Sequence, residues 1–247
     1  GFIVFFEGKL IYFPQLGSEV VGPSPGEEVW LTASDGIQVH GWYLPHPEAK
    51  LTLLVLHGNG GNMEGRRSWY RDLRGLKVNV LAIDYHGYGK SGGAPSEPAL
   101  YADARAAYDW LLTKTAPAQI VVFGESLGGG PACELASTVP VGGVILQSAF
   151  TSAKRMSSRV MPFFPARWFM KTNYDNLSKV PKITCPKLFL HGRMDEIVPF
   201  EMGEELYAAA AEPKRHAWIM AGGHNDLPSR AKAYYSALES FLGSLAK

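Results

Sequence analysis

A serine flanked by glycines stands between an apolar run and a helical stretch. Residues 124–128 read Gly-Glu-Ser-Leu-Gly, with Ser126 at the centre. Glycines two positions either side of a serine suit a sharp strand-to-helix turn, because side chains there would strike neighbouring elements. The turn exposes the Ser126 hydroxyl at a helix N-terminus, where Leu127 N–H can stabilise an oxyanion. The pattern predicts nucleophilic attack on a carbonyl; the alternative is a turn that serves packing alone.

A serine nucleophile needs a base, and the base needs an acid that orients it. With this kind of turn, the chain order is serine, acid, histidine, each after a strand. Asp195 follows the apolar run Leu188–Leu190, and His224 follows the run Ala217–Met220. The spacing therefore predicts that Ser126, Asp195 and His224 form a catalytic triad.

Other histidines and acids compete for these roles. The chain has seven histidines, and only His224 both follows Asp195 and lies in a glycine-rich loop after the final apolar run. His57 and His191 end apolar runs directly before glycine, where we expect structural hydrogen bonds. The competing acids lie in an irregular segment, beyond the histidine, or beside Asp195 and facing away: Asp175, Asp226 and Glu196.

Two further glycine-rich loops follow apolar runs. Residues 57–62 read His-Gly-Asn-Gly-Gly-Asn, and their glycines allow close backbone approach to a substrate. We expect the backbone N–H of Asn59 to be the second oxyanion donor; the alternative is a flexible turn that leads into a helix. Residues 84–91 are interpreted as a turning loop without catalytic duty, and we do not expect Ser91 to be a nucleophile because no helix begins there.

The elements that must position these residues alternate along the chain. Asp35-Gly36 between two alternating apolar runs predicts a hairpin. Continuous apolar runs then predict strands buried on both faces, at Leu51–Leu56, Val78–Ile83, Ile120–Phe123, Val144–Leu146, Leu188–Leu190 and Ala217–Met220. Helical stretches lie between or after them, at Met63–Leu73, Pro98–Thr113, Leu127–Ser137, Glu201–Ala211 and Ser229–Leu245.

This alternation predicts an α/β fold: a mostly parallel central sheet with an N-terminal antiparallel hairpin and helices on both faces. Residues 1–247 suit a single domain. Prolines interrupt residues 151–184, which we interpret as a small cap insertion with one or two short helices over the strand ends. Ligands of such sheets bind beyond the carboxyl ends of the strands, where the candidate residues lie.

Composition excludes several other classes. A net charge of +1 gives no general attraction to nucleic acid. The two cysteines, Cys133 and Cys185, are too few for a disulfide scaffold, and we expect both to be reduced core thiols. No metal-binding or nucleotide-binding pattern is present, so we expect neither a metal nor a cofactor.

The first residues leave two interpretations open. Residues 2–6 read Phe-Ile-Val-Phe-Phe, which is far too short to span a bilayer. The run is either the remainder of a trimmed membrane anchor or a terminal segment packed on the sheet. The corresponding locations are membrane-associated or cytoplasmic.

Together these motifs resemble the α/β-hydrolase superfamily from about Val29 onward. The His-Gly-Asn-Gly-Gly-Asn loop is most similar to a group of esterases and serine peptidases that includes membrane-associated acyl-protein thioesterases, and residues 10–14 resemble the segment after the anchor in those relatives. The resemblance implies Ser126, Asp195 and His224 as the triad, with backbone donors at Asn59 and Leu127.

Two residues depart from that resemblance. His86 stands where relatives usually carry arginine, which changes how its loop is pinned. Pro131 follows the nucleophile where relatives usually have a small apolar residue, so we expect a distorted first turn or one bound to water.

Aromatic and basic residues of the cap bear on the substrate. We expect Phe150, Phe163, Phe164 and Trp168 to line an acyl pocket; the alternative is that they only cover the strand ends. Nearby cations are either a solvated face or a contact to lipid headgroups.

The predicted activity is hydrolysis of small-molecule carboxylic esters with short to medium acyl chains through an acyl-enzyme. The alternatives are a thioesterase or lysophospholipase at a membrane surface, a serine peptidase, and a catalytically silent scaffold used for binding.

Overall fold

The sheet starts with an antiparallel hairpin, as the Asp35-Gly36 pair predicts. In the computed structural model, which describes residues 11–14, 23–160, 170–229 and 231–246, strand β1 (Glu27–Thr32) pairs with β2 (Gln38–Leu44). Gly36 has a φ of +86°, a left-handed conformation that glycine adopts without steric cost. Asp35 Oδ1 accepts a hydrogen bond from Ile37 N, so local chemistry closes the turn.

The remaining strands extend this hairpin into an eight-stranded sheet. The strand order is β1-β2-β4-β3-β5-β6-β7-β8. β2 and β4 are antiparallel, and all later neighbours are parallel. The bounds are Thr52–Leu56 for β3, Asn79–Ile83 for β4, Ile120–Glu125 for β5, Gly143–Gln147 for β6, Lys187–Gly192 for β7 and Lys214–Ile219 for β8. The parallel strands bring the loops after β3, β5, β7 and β8 to one edge, as the predicted fold requires.

The central strands are buried on both faces, but the last strand is not. Every residue of β3, β6 and β7 is buried, in agreement with their continuous apolar runs. β8 begins at Lys214, earlier than predicted, and Ile219 is its only buried residue. The prediction of two buried faces is wrong for β8 because this edge strand has one neighbour, and Met220 lies beyond the strand.

Helices cover both faces of the sheet. The long described helices are α1 (Arg67–Arg74), α2 (Glu97–Leu112), α3 (Gly129–Thr138), α6 (Phe200–Ala209) and α7 (Ala231–Leu245). Alternate residues of β3 separate two cores: Leu54 and Leu56 pack in the core that contains α2 and α3, whereas Leu53 and Val55 pack in the core that contains α1 and α7. The predicted layering on both faces is confirmed.

A short 3₁₀ turn, Ser126–Gly128, precedes α3. Pro131 is therefore the third residue of α3, in the first turn of the helix, where a missing N–H costs little. The expected effect of Pro131 on this first turn stays a prediction.

The segment predicted as a cap is described in part. It contains α4 (Ala153–Val160) and α5 (Asn176–Lys179), followed by a 3₁₀ turn at Val180–Lys182. Residues 161–169 lie outside the described part, so the cap as a unit stays a prediction.

Both cysteines are free thiols. Cys133 is buried in α3, and Cys185 is only partly buried before β7. Within the described ranges, no helix combines the length and apolar character needed to cross a bilayer.

Candidate active site

The turn after β5 holds Ser126 in a strained backbone conformation. Ser126 has a φ of +50°, in the left-handed region that non-glycine residues rarely adopt. A Cβ at Gly128 would lie 1.9 Å from Leu56 O, and one at Gly124 would lie 2.6 Å from Gly128 O. Gly128 therefore lets the turn approach β3 closely, and Gly124 lets the end of β5 pack against Gly128 itself, for the steric reason that the sequence pattern implies.

The three predicted triad side chains meet at the carboxyl edge of the sheet. His224 Nε2 lies 3.0 Å from Ser126 Oγ. His224 Nδ1 lies 2.8 Å from Asp195 Oδ2 and 3.0 Å from Asp195 Oδ1. Because a carboxylate only accepts, Nδ1 carries the proton and Nε2 is free to accept the serine proton. The arrangement can move a proton from a hydroxyl to an imidazole.

The Asp195 carboxylate is fixed by several donors. Its Oδ1 accepts hydrogen bonds from Ile197 N at 3.0 Å and Val198 N at 2.7 Å. Burial raises the pKa of Asp195, but hydrogen bonds from His191 and His224 outweigh burial and hold that pKa below its ordinary value. The carboxylate thus remains charged and keeps its orientation toward His224.

His191 makes a contact that sequence reasoning missed. Its Nε2 lies 3.0 Å from Val198 O, the structural hydrogen bond that was expected, but also 3.3 Å from Asp195 Oδ2. The four-residue separation of His191 and Asp195 was the available signal, although they are not on a helix.

The competing acids bind backbone rather than the His224 ring. Glu196 was expected to face away, but its Oε2 accepts a weak hydrogen bond from His224 N at 3.4 Å. Asp226 Oδ1 accepts one from Gly223 N at 2.6 Å. Asp175 caps α5 by accepting a hydrogen bond from Ser178 N. Both Glu196 and Asp226 therefore shape the loop that carries His224.

The loop after β3, which carries Asn59, is joined to the residue before the Ser126 turn, and the oxyanion roles of Asn59 and Leu127 stay predictions. Glu125 Oε2 accepts a hydrogen bond from Gly58 N at 2.9 Å and pairs with Arg66 Nε at 3.2 Å. Arg66 also donates to the carbonyl oxygens of Gly60 and Asn62. The Arg66–Glu125 pair, which we call the brace, joins this loop to the residue that precedes Ser126. Sequence reasoning gave neither Glu125 nor Arg66 a role.

Neighbouring groups stabilise the negative charge of Glu125 in the brace. Burial raises the pKa of Glu125, but the Arg66 guanidinium and the Gly58 N–H together hold it below its ordinary value. The side chains of Arg66 and Glu125 are 19% and 17% exposed, so solvent screens the pair only in part.

The loop of residues 84–91 supports the loop that follows β3. Asp84 Oδ1 accepts hydrogen bonds from Met63 N at 2.9 Å and from His57 Nε2 at 3.1 Å. Ser91 Oγ donates to Asp84 O, so this hydroxyl has a structural partner. The contacts agree with a supporting role for the loop.

His86 pins the same loop by an ion-pair cluster. Its Nδ1 lies 2.5 Å from Asp103 Oδ1, and its Nε2 lies 3.0 Å from Asp35 Oδ2. The hydrogen bond with Asp103 raises the pKa of His86 above its ordinary value. Two carboxylates thus favour the charged form of the imidazole, at the position where the resemblance implies an arginine.

The predicted substrate-binding residues are described only in part. Phe150 is buried, and its ring packs edge-on against Tyr174 at 6.5 Å between centroids. Phe163, Phe164 and Trp168 lie outside the described residues. The acyl-pocket role of all four stays a prediction. Exposed apolar side chains occur instead on the loops that carry the acid and the base: Met194, Ile197 and Met220.

Comparison with known proteins identifies the family. The model of the "Alpha/beta hydrolase family" matches residues 53–238. This match covers most of the sheet, including the turn at Ser126 and the loops that carry Asp195 and His224. The chain belongs to the alpha/beta hydrolase family.

Particular relatives span most of the chain. It is 39% identical to protein MT2364 of Mycobacterium tuberculosis, over 91% of this chain and 83% of that protein. It is 34% identical to human alpha/beta hydrolase domain-containing protein 17B, over 79% of this chain and 67% of that protein. A solved structure of the Pyrococcus furiosus esterase Pf2001 is similar with a TM-score of 0.80, at 21% identity, over 96% of this chain and 98% of that one. This last likeness shows the fold.

Proposed function

We propose that the chain is a serine hydrolase that cleaves carboxylic esters with short to medium acyl chains. The observation that carries the proposal is the hydrogen-bond chain from Ser126 through His224 to the buried, ionised Asp195. An imidazole that turns Nδ1 to a carboxylate and Nε2 to a strained serine is the arrangement that general-base activation requires. Membership of the alpha/beta hydrolase family supports the same reaction class.

Acylation begins when His224 Nε2 takes the Ser126 proton. Oγ then attacks the ester carbonyl carbon, and the backbone N–H groups of Leu127 and Asn59 stabilise the oxyanion that forms. Asp195 stabilises the resulting imidazolium without taking its proton. The tetrahedral intermediate expels the alkoxide, which receives the proton from His224 and leaves as the alcohol. The acyl group stays bound to Ser126 Oγ as the acyl-enzyme.

Deacylation repeats the sequence with water. His224 Nε2 removes a proton from water, the hydroxide attacks the acyl carbonyl, and the same two N–H groups stabilise the oxyanion. The Ser126 oxygen leaves with the proton from His224, and the carboxylic acid is released. The proposed mechanism requires neither a metal nor a cofactor.

Turnover of p-nitrophenyl esters across a series of acyl lengths tests the proposal. Wild-type protein should turn over acetate to octanoate esters, and Ser126→Ala should lose that turnover. A fluorophosphonate probe should label the wild type and not Ser126→Ala. Equal turnover in Ser126→Ala would exclude the serine mechanism, and a wild type that resists the probe would favour a silent scaffold.

A second candidate is hydrolysis of long-chain esters or thioesters at a membrane surface. The specific observation is the exposure of apolar side chains beside the acid and the base: Met194 is 67%, Ile197 47% and Met220 68% exposed. Exposed apolar groups around a site often mark contact with a lipid or another apolar partner. Turnover of micellar long-chain esters and of S-acyl peptides, relative to soluble acetate esters, distinguishes the two candidates.

A further inference from the structure

Residues Ile11–Pro14, which we call the strap, lie against the loop that carries Asn59. Asn59 Nδ2 donates a hydrogen bond to Ile11 O at 2.5 Å. Asn59 Oδ1 accepts one from Phe13 N at 3.1 Å. Pro14 forms a parallel β-bridge with Gly61. The asparagine amide thus pairs with strap backbone on alternate residues, much as a neighbouring strand would.

A second contact joins the strap, through Tyr174, to α3, the helix that follows the Ser126 turn. Tyr12 is buried, and its hydroxyl lies 2.8 Å from that of Tyr174. A Cβ at Gly130, in α3, would lie 2.3 Å from Tyr174 Cδ1, so the tyrosine ring packs directly on this helix. The strap therefore contacts the Asn59 loop and, through Tyr174, the helix that follows Leu127.

The Asn59 loop needs such support. Gly58, Gly60 and Gly61 surround Asn59, and glycine loses more conformational freedom on ordering than any other residue. An oxyanion donor contributes only when it is oriented before the charge develops. The Asn59 side chain supplies the orientation, because the strap and the Tyr88 hydroxyl, at 2.8 Å from Oδ1, hold it from two directions.

We propose that the strap is a positioning element of the oxyanion site, which acts through the Asn59 side chain on the Asn59 backbone N–H. This inference rests on the proposed function. It gives the strap a part in catalysis. Displacement of Ile11–Pro14 should lower the rate of the chemical step without weakening substrate binding.

Asn59→Ala tests the inference, because it keeps the backbone N–H and removes all three side-chain hydrogen bonds. Loss of one oxyanion donor costs about 100-fold to 1,000-fold in kcat, so partial misplacement should cost about 10-fold to 100-fold. KM should stay within about twofold, and affinity for a boronic acid that mimics the tetrahedral intermediate should fall with kcat.

Asn79→Ala is the matched control. Asn79 Oδ1 also holds a backbone N–H, that of His46 at 2.9 Å, and Nδ2 donates to Thr52. Asn79 begins β4, so it lies at the amino end of the strand, away from the catalytic edge. It should lose stability in urea and keep kcat. An equal loss of kcat in both variants, or a raised KM with unchanged kcat in Asn59→Ala, would overturn the proposal.

Tyr12→Phe tests the coupling through the strap. It removes the Tyr12–Tyr174 hydrogen bond and should lower kcat less than Asn59→Ala does. Because both side chains act through one strap, the double variant should lose less than the product of the two effects. Multiplicative losses would show independent action and overturn the coupling. Tyr108→Phe, which removes a hydrogen bond to Pro140 O, is the control and should leave kcat unchanged.

Hydrogen exchange separates this inference from the proposed function. Asn59→Ala should speed amide exchange at Gly60 and Gly61, whether or not the protein hydrolyses esters. If the wild type turns over no ester, the proposed function fails, and accelerated exchange still supports the strap contact. Unchanged exchange overturns the strap proposal even if ester turnover is high.

Discussion

Gly128→Ala tests whether the turn at Ser126 depends on the absence of a side chain. A Cβ at position 128 would lie 1.9 Å from Leu56 O and 2.6 Å from Leu56 C, both in the backbone of β3. Gly128 has an ordinary helical φ of −61°, so the alanine adds steric contact without backbone strain. Since the obstructing atoms belong to a central strand, no side-chain rotation relieves the contact.

The distances set the expected magnitude. Ordinary van der Waals contact begins near 3.4 Å, so the turn and β3 must separate by about 1.5 Å, and overpacking costs about 1–3 kcal/mol. Displacement of a reacting group by about 1 Å costs roughly 100-fold in rate. We expect Gly128→Ala to lose about 3 kcal/mol in the free energy of unfolding and about 100-fold in kcat. Gly124→Ala should lose less, because its nearest atoms lie at 2.6 and 2.7 Å.

Urea denaturation and p-nitrophenyl butyrate turnover measure the two effects. Turnover is normalised to the folded fraction, so that instability does not imitate a catalytic defect. Gly65→Ala is the control, since a Cβ there would meet nothing within 4 Å. Equal stability and turnover for Gly128→Ala and Gly65→Ala would refute the steric reasoning.

Three further predictions follow from the site. Asp195→Asn should lower kcat for soluble esters by about 10⁴-fold with little change in KM, because an amide no longer holds the imidazole tautomer. Glu125→Gln should lower the free energy of unfolding at pH 7 by about 1–3 kcal/mol. The pKa of folded Glu125 lies below the ordinary 4.5, so this difference is fully present above that pH and disappears as the pH falls through the folded-state pKa. The double variant Met194→Ser, Met220→Ser should turn over micellar long-chain esters roughly tenfold more slowly and leave the turnover of soluble acetate esters unchanged.

Each of these predictions has a matched control. Asp109→Asn changes an exposed aspartate and should leave kcat unchanged. Glu48→Gln breaks an exposed pair with Lys77 and should cost little stability at any pH. Leu112→Ser changes an exposed apolar residue and should not affect micellar turnover. A variant that behaves like its control contradicts the reasoning behind that prediction.

Strong local signals predicted most of the fold. The run Leu51–Leu56 became β3 at Thr52–Leu56, because a central strand buries both faces and most of its residues are apolar. The run Ala217–Met220 located β8 but misplaced its bounds. An edge strand is half exposed, so backbone pairing with β7 decides where it begins and hydrophobicity does not.

The sequence by itself determined the order of serine, acid and histidine and the glycines around the serine. These features are readable because steric limits at a tight turn restrict residue type at neighbouring positions. Tertiary structure alone decided what surrounds them: His191 beside Asp195, the Arg66–Glu125 brace, and Tyr12 against Tyr174. The tyrosines are 162 positions apart, and a hydrogen bond over such a separation leaves no periodic trace in the chain. It exists only because the fold places the strap against the segment between β6 and β7.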